Sequence, residues 1–269
     1  MQTFRAAAIQ LKSGSDRRDN LAQATTLARE AAGGGAELIA LPEVFYWRGA
    51  QREEAANAEP IPGPTSQWAA DLARELSVYL VAGSLLESTS ENPKCFNTSL
   101  LFGPDGDLLG SYRKIHLFAV DIPGRVSIDE SDTRAGGDKG VCIETQLGRI
   151  GLAICYDLRF PELFRQLTDD GAEVLVIPSA FTATTGRAHW ETLLRARAVE
   201  NQCFVVAPNQ YGRSDHGFDC YGHSLIVDPW GELLGDGGDG GPLTVSAQLD
   251  GKRLEEVRSQ LPVLGHRRL

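Results

Sequence analysis

The chain has 269 residues, 42% of them hydrophobic, which is enough to bury a large core. Its 26 basic and 36 acidic residues give a net charge of −10, and no basic stretch is longer than the pairs Arg17–Arg18 and Arg267–Arg268. That balance disfavours nucleic acid and anionic membrane as partners, while single arginines remain free to bind a carboxylate.

In chain order, FRAAAIQ (4–10) reads as a strand and DNLAQATTLAREAA (19–32) as an amphipathic helix stopped by Gly33-Gly34-Gly35. ELIAL follows as a strand, residues 65–76 as a helix, and VYLVAGSLL (78–86) is strand-like. Residues 97–112 predict a hairpin turning at Pro104-Asp105-Gly106. VCIETQLGRIGLAIC predicts a second hairpin turning near Gly148, and PELFRQLTDD a helix ended by Gly171. AEVLVIPSA is strand-like, and GRAHWETLLRARAVEN is helical. CFVVAPN, HSLIVD and LTVSAQL are strand-like, Asp228-Pro229-Trp230-Gly231 suits a type I turn, and KRLEEVRSQL closes the chain as a helix.

Strands alternating with helices indicate an α/β fold, and the hairpins make its sheets mixed. No linker or composition shift divides the chain, so residues 1–269 read as one domain. Residues 119–140 are polar, glycine-rich and aperiodic, and read as a long loop covering a site. The first twenty residues lack the apolar core of a signal peptide, and no run is long enough to span a membrane. Five cysteines (95, 142, 155, 203 and 220), odd in number and without CxxC spacing, suit reduced thiols in a cytoplasmic enzyme.

Three segments carry chemistry. Cys155 ends the apolar run Ile150–Ile154, and a helical pattern begins at Pro161. A thiol at such a corner sits where α/β enzymes build sites, beside N–H groups that can lower its pKa or hold an oxyanion. LIALPEVF (38–45) ends a strand in the carboxylate Glu43, and YRKIHLF (112–118) places Lys114 directly after a strand. Each alone reads as solvated charge or a packed cysteine. Together they set a carboxylate, an ammonium and a thiol at the C-terminal ends of apolar strands, the edge where open α/β sheets collect ligands.

These segments resemble the signature of the nitrilase (carbon–nitrogen hydrolase) superfamily, and residues 178–210, 221–234 and the tail LPVLGHRRL follow its pattern too. The resemblance implies a four-layer αββα sandwich and a Glu43, Lys114, Cys155 catalytic set. It adds Glu130, in IDESDT, as a second glutamate orienting the lysine and substrate. Within the superfamily the segments are closest to the amidase branch that includes deaminated glutathione amidase and ω-amidase. The PSAF, ENQCFVVA and YGHS segments, with the HRR ending, favour the former, and the family's habit of pairing implies a homodimer.

In the implied chemistry Cys155 attacks an amide carbon, Glu43 moves the protons, and a thioester forms and is hydrolysed without a cofactor. Lys114 and the backbone N–H of Tyr156 face the oxyanion, and the Lys114 charge favours thiolate at Cys155. A carboxylate-bearing small-molecule amide needs a cation, for which Arg159, Arg187, Arg195 and Arg197 stand nearby. Arg195 and Arg197, two apart on a helix, cannot both face the site. Phe181 and Thr182, just past a strand, are candidate pocket walls.

The competing readings are weaker. Gly235–Gly240 matches G-x-G-x-x-G but leads into Pro242 and a strand, so a hairpin loop is expected rather than a dinucleotide site. The five histidines show no zinc spacing, so no metal is expected. His116 offers a Cys–His peptidase dyad with Cys155, at the cost of leaving Glu43 and Lys114 without roles. A nitrilase or carbamoyl hydrolase would use the same triad, and a catalytically silent binding protein is the non-enzyme alternative.

Overall fold

The computed structural model describes residues 1–122, 126–213, 215 and 217–268. Within them two mixed sheets lie face to face, each covered on its outer side by helices. The first sheet runs in the order Leu243–Leu249, Phe4–Gln10, Leu38–Ala40, Tyr79–Val81, Cys95–Phe102, Leu85–Glu87, with Leu108–Arg113 and Arg134–Ala135 also paired to Cys95–Phe102. The second runs Val141–Thr145, Gly148–Leu152, Val174–Val176, Phe204–Ala207, Leu225–Val227, Leu233–Asp236. Each has three consecutive parallel strands at its centre, flanked by antiparallel partners. Among the described residues no helix is long and apolar enough to cross a membrane.

The strand Phe4–Gln10 shows how sequence sets the layers. Side chains alternate across a strand, so Phe4, Ala6 and Ala8 enter the core between the sheets, with Leu152, Val174 and Val176. Ala7 and Ile9 point the other way, against the helices Arg17–Gly33 and Pro64–Leu76. Helix Arg17–Gly33 meets them with Ala24, Leu27, Ala28 and Ala31, the spacing of one helical face. Its first turn is fixed by Asp16, whose carboxylate accepts from the Asp19 N–H at 3.1 Å. On the far side Leu163, Phe164 and Leu167 of Pro161–Asp169, and Trp190, Leu194 and Ala198 of Ala183–Asn201, cover the second sheet.

Three expectations are refined or corrected. Residues 78–86 form two strands, Tyr79–Val81 and Leu85–Glu87, broken where Gly83 adopts φ +45°. A Cβ there would lie 2.0 Å from the Pro42 carbonyl oxygen, so only glycine lets the chain pass beneath the segment carrying Glu43. Residues 119–140 are not one aperiodic loop. Ala119–Ile122 and Val126–Asp129 pair antiparallel, Glu130–Asp132 forms a 3-10 turn, and Arg134–Ala135 joins the first sheet. Residues 123–125 of that expectation lie outside the described residues. Finally, the glycine-rich segment 235–240 is no hairpin loop: it carries the chain from the second sheet into Leu243–Leu249 of the first.

Candidate active site

Glu43 and Cys155 each stand just past the end of a parallel strand, one in each sheet. Each follows a parallel strand, Leu38–Ala40 or Gly148–Leu152, by three residues. Both corners are tight: Val44 has φ +46° and Cys155 φ +45°, a region that side-chain-bearing residues rarely enter. Such strain persists only where the surroundings fix it. The Val44 N–H donates to Ser84 Oγ at 3.0 Å, and the Cys155 N–H to the Pro178 carbonyl at 3.0 Å.

The turn Cys155–Arg159 is anchored by Asp157, which is fully buried. Asp157 accepts from Tyr112 Oη at 2.7 Å, the Ile154 N–H at 2.8 Å and the His116 N–H at 3.1 Å, and it contacts His116 Nδ1 at 2.7 Å. Arg197 holds the same turn by donating from Nε and Nη2 to the Leu158 carbonyl, at 3.1 and 2.7 Å. Replacing Asp157 with alanine strands several buried donors at once. The expected loss is about 3 kcal/mol or more of unfolding free energy in urea denaturation, whereas a loss under about 1 kcal/mol would mean the turn is held by other contacts.

The Glu43 carboxylate is 2% exposed and surrounded by donors: Oε1 accepts from Asn97 Nδ2 at 2.8 Å and Lys114 Nζ at 2.9 Å, Oε2 from the Ala180 N–H at 2.9 Å. Lys114 also donates to Glu130, at 2.9 and 3.2 Å. Glu130 accepts from the Phe118 N–H and from Arg134, which in turn pairs with Glu54. Glu54, Arg134, Glu130, Lys114 and Glu43 thus form a buried chain of alternating charge. Burial opposes the charge on Glu43, but Lys114, Arg134 and Arg48 outweigh it and hold its carboxyl down at about 2. Burial likewise opposes the Lys114 ammonium, and Glu130 and Glu43 outweigh it, lifting its pKa above the ordinary lysine value.

Cys155 goes the other way. Burial, and then the Glu43 charge, push its thiol well above the usual range, against the pull of Lys114. Lys114 does pull toward thiolate, as expected, but burial and Glu43 outweigh it, so the thiol stays well above its usual range.

Cys155 and Glu43 open into a pocket whose other walls include Tyr156, Arg159, Phe181 and Thr182. The structure thus brings eight of the predicted residues together: Glu43, Glu130, Cys155, Tyr156, Arg159, Phe181 and Thr182 line the pocket, and Lys114 is fully buried against Glu43 and Glu130. Arg159 lies over the Phe181 and Tyr156 rings, 5.2 and 5.7 Å from their centroids, and contacts His189 Nδ1 at 3.1 Å. Arg187 is not brought to the pocket. It sits exposed on Ala183–Asn201, a helix that starts three residues earlier than GRAHW suggests. Arg195 pairs with Glu191 on the surface, and Arg197 is taken up by Leu158 and Glu200.

His116 is bound to Asp157 and stacked on Phe160 at 3.7 Å, so its ring is committed to the turn rather than offered to the thiol. Among the described residues, which exclude His216, no group of three or more His, Cys, Asp or Glu side chains converges as a metal site. Asn97, Arg134, Glu54, Arg48, Phe118 and Phe218 belong to the site or its support and carry no local sequence signal.

A family model described as carbon–nitrogen hydrolase matches residues 5–259. Omega-amidase NIT2 of Mus musculus is 43% identical over 268 residues, covering 100% of this chain and 96% of its own. Deaminated glutathione amidase of Synechocystis sp. is 41% identical, with 99% of each chain covered. Among solved structures, Saccharomyces cerevisiae Nit3, a nitrilase-superfamily member, superposes with a TM-score of 0.91 at 33% identity, covering 100% of this chain and 97% of its own.

Proposed function

The chain belongs to the carbon–nitrogen hydrolase family and is a hydrolase of amide bonds; from that premise we propose that it cleaves the amide of deaminated glutathione through a thioester on Cys155. The observation carrying the catalytic part is the contact of Glu43 with Lys114 at 2.9 Å, in a pocket that also presents the Cys155 thiol.

With the thiol protonated and Glu43 ionised, sulfur attack on the carbonyl carbon and proton transfer to Glu43 proceed together. A free thiolate beside Glu43 would place two buried negative charges side by side. The negative charge that develops on the carbonyl oxygen is met by Lys114 and the Tyr156 N–H, the latter at the start of a helical turn. Glu43 passes its proton to the departing amine, then takes one from water as that water attacks the thioester, and returns it to the Cys155 sulfur as the C–S bond breaks and the acid leaves. Glu130 and Arg134 hold Lys114 in place throughout.

Arg159 is the guanidinium for a substrate carboxylate: it lines the pocket, and no carboxylate of the described residues pairs with it. The Synechocystis relative supports deaminated glutathione as substrate. The 43% identical mouse relative supports a second reading, ω-amidase activity on an α-keto acid amide such as α-ketoglutaramate.

Amine or ammonia release from deaminated glutathione, α-ketoglutaramate and an aliphatic nitrile decides between them. Turnover of deaminated glutathione well above the others supports the first reading, and preference for α-ketoglutaramate the second. Turnover of the nitrile alone overturns both.

A homodimer is part of the proposal. Val199 and Trp230, 49% and 50% exposed, lie on adjoining segments, since a Cβ on Gly231 would meet Val199 at 2.8 Å. Light scattering at micromolar concentration is expected to give twice the 29.1 kDa chain mass; the monomer mass removes the dimer.

A further inference from the structure

Arg48 follows the Glu43 corner by five residues and lines the same pocket, yet it is only 4% exposed. Its backbone N–H is tied to the Gly14 carbonyl at 2.8 Å, so the segment is fixed. Its guanidinium lies over the Phe218 ring, 5.4 Å from the centroid. Among the described residues the buried Arg48 Nε has no hydrogen-bond partner. Among the described residues no carboxylate pairs with Arg48, whereas Arg134 and Lys114 are each held by two.

Charge balance accounts for a cation here but not for its idle donor. The buried chain Glu54–Arg134–Glu130–Lys114–Glu43 carries three carboxylates and two cations, and Arg48 offsets the difference. Its field acts over distance, but a buried N–H still requires an acceptor placed on it. A guanidinium with an unpartnered N–H at a pocket wall is a receptor for carboxylate, with geometry a lysine cannot reproduce.

We propose that Arg48 is a specificity-determining residue that accepts a second anionic group of the substrate, so that the pocket selects amides bearing two carboxylates, one for Arg159 and one for Arg48. The inference rests on the amidase reading above and adds to it the charge of the substrate at a point remote from the reacting carbon. Of the two candidate substrates, deaminated glutathione carries two carboxylates and α-ketoglutaramate one.

The test uses probes that need no turnover. Alkylation of Cys155 by iodoacetamide, followed by peptide mass spectrometry, is measured against increasing succinate, glutarate or adipate, and against monocarboxylates of the same chain lengths. At least one dicarboxylate is expected to protect Cys155 about tenfold or more better than its monocarboxylate, as a charge-assisted hydrogen bond provides. Arg48→Gln is expected to abolish that preference, and Arg48→Lys to restore part of it, with thermal melting confirming that both variants fold. Equal protection by both probe classes in the wild type, or a preference surviving in Arg48→Gln, overturns the proposal. Because the readout is binding, it stands or falls separately from the substrate panel: turnover of none of the amides would defeat the functional reading, not this one.

Discussion

Replacing Cys155 with alanine is expected to lower amide turnover by on the order of 10^6-fold while the protein stays folded, losing less than about 1 kcal/mol of stability. The kinetic part follows because no other nucleophile takes its place. Of the other four cysteines, Cys95, Cys142, Cys203 and Cys220, none lines the pocket. The stability part follows from the position. The sulfur borders an open pocket, so its removal leaves no sealed cavity, and alanine inherits the same φ of +45° without adding strain. Product release and thermal denaturation on one preparation check both halves; appreciable residual turnover would remove Cys155 as the nucleophile.

Changing Glu43 to glutamine is the second large effect, and it acts on stability as well as rate. Every polar group around this carboxylate is a donor: Lys114 Nζ, Asn97 Nδ2 and the Ala180 N–H. A glutamine must turn its own NH2 toward one of them, and Lys114 loses half of its counter-charge. A loss of about 1–3 kcal/mol is expected, together with a fall in turnover of about 10^2- to 10^4-fold from the missing proton carrier. Both the formation and the hydrolysis of the thioester should slow. Intact-protein mass spectrometry after mixing with substrate separates the two steps. Wild-type thioester breakdown in this variant would assign the base to another residue.

The parts of the site that were legible in sequence are those written locally. Glu43, Lys114 and Cys155 each end an apolar strand, and a strand with its first loop residues is visible in a short window. Their support was not legible, because it is assembled from distant segments. Arg134 and Glu54 are 80 positions apart, and Asn97 and Glu43 are 54 apart, while each alone reads as ordinary polar sequence. Asp157, two residues past Cys155, carries no local sign of the turn it anchors. Its three partners Tyr112, His116 and Ile154 converge only once both sheets are in place. The thiol electrostatics are half legible for a related reason: the Lys114 charge is visible in sequence, but the burial that outweighs it is not. The break within the strand-like residues 78–86 is not legible for the same reason: the distant Pro42 carbonyl decides the conformation of Gly83.

Glu43, Lys114 and Glu130 come from the half of the chain that builds the first sheet, and Cys155, Ala180 and Phe181 from the half that builds the second. The Ala180 N–H on the Glu43 carboxylate is one stitch between them, and the Tyr112 hydroxyl on Asp157 another. Neither half holds a reactive assembly: one has a base with nothing to deprotonate, the other a thiol with no base. During refolding, then, secondary structure and even a well-formed single sheet can return without turnover. Recovered activity times the docking of one sheet on the other, and enzyme assay becomes a clock for the last stage of folding.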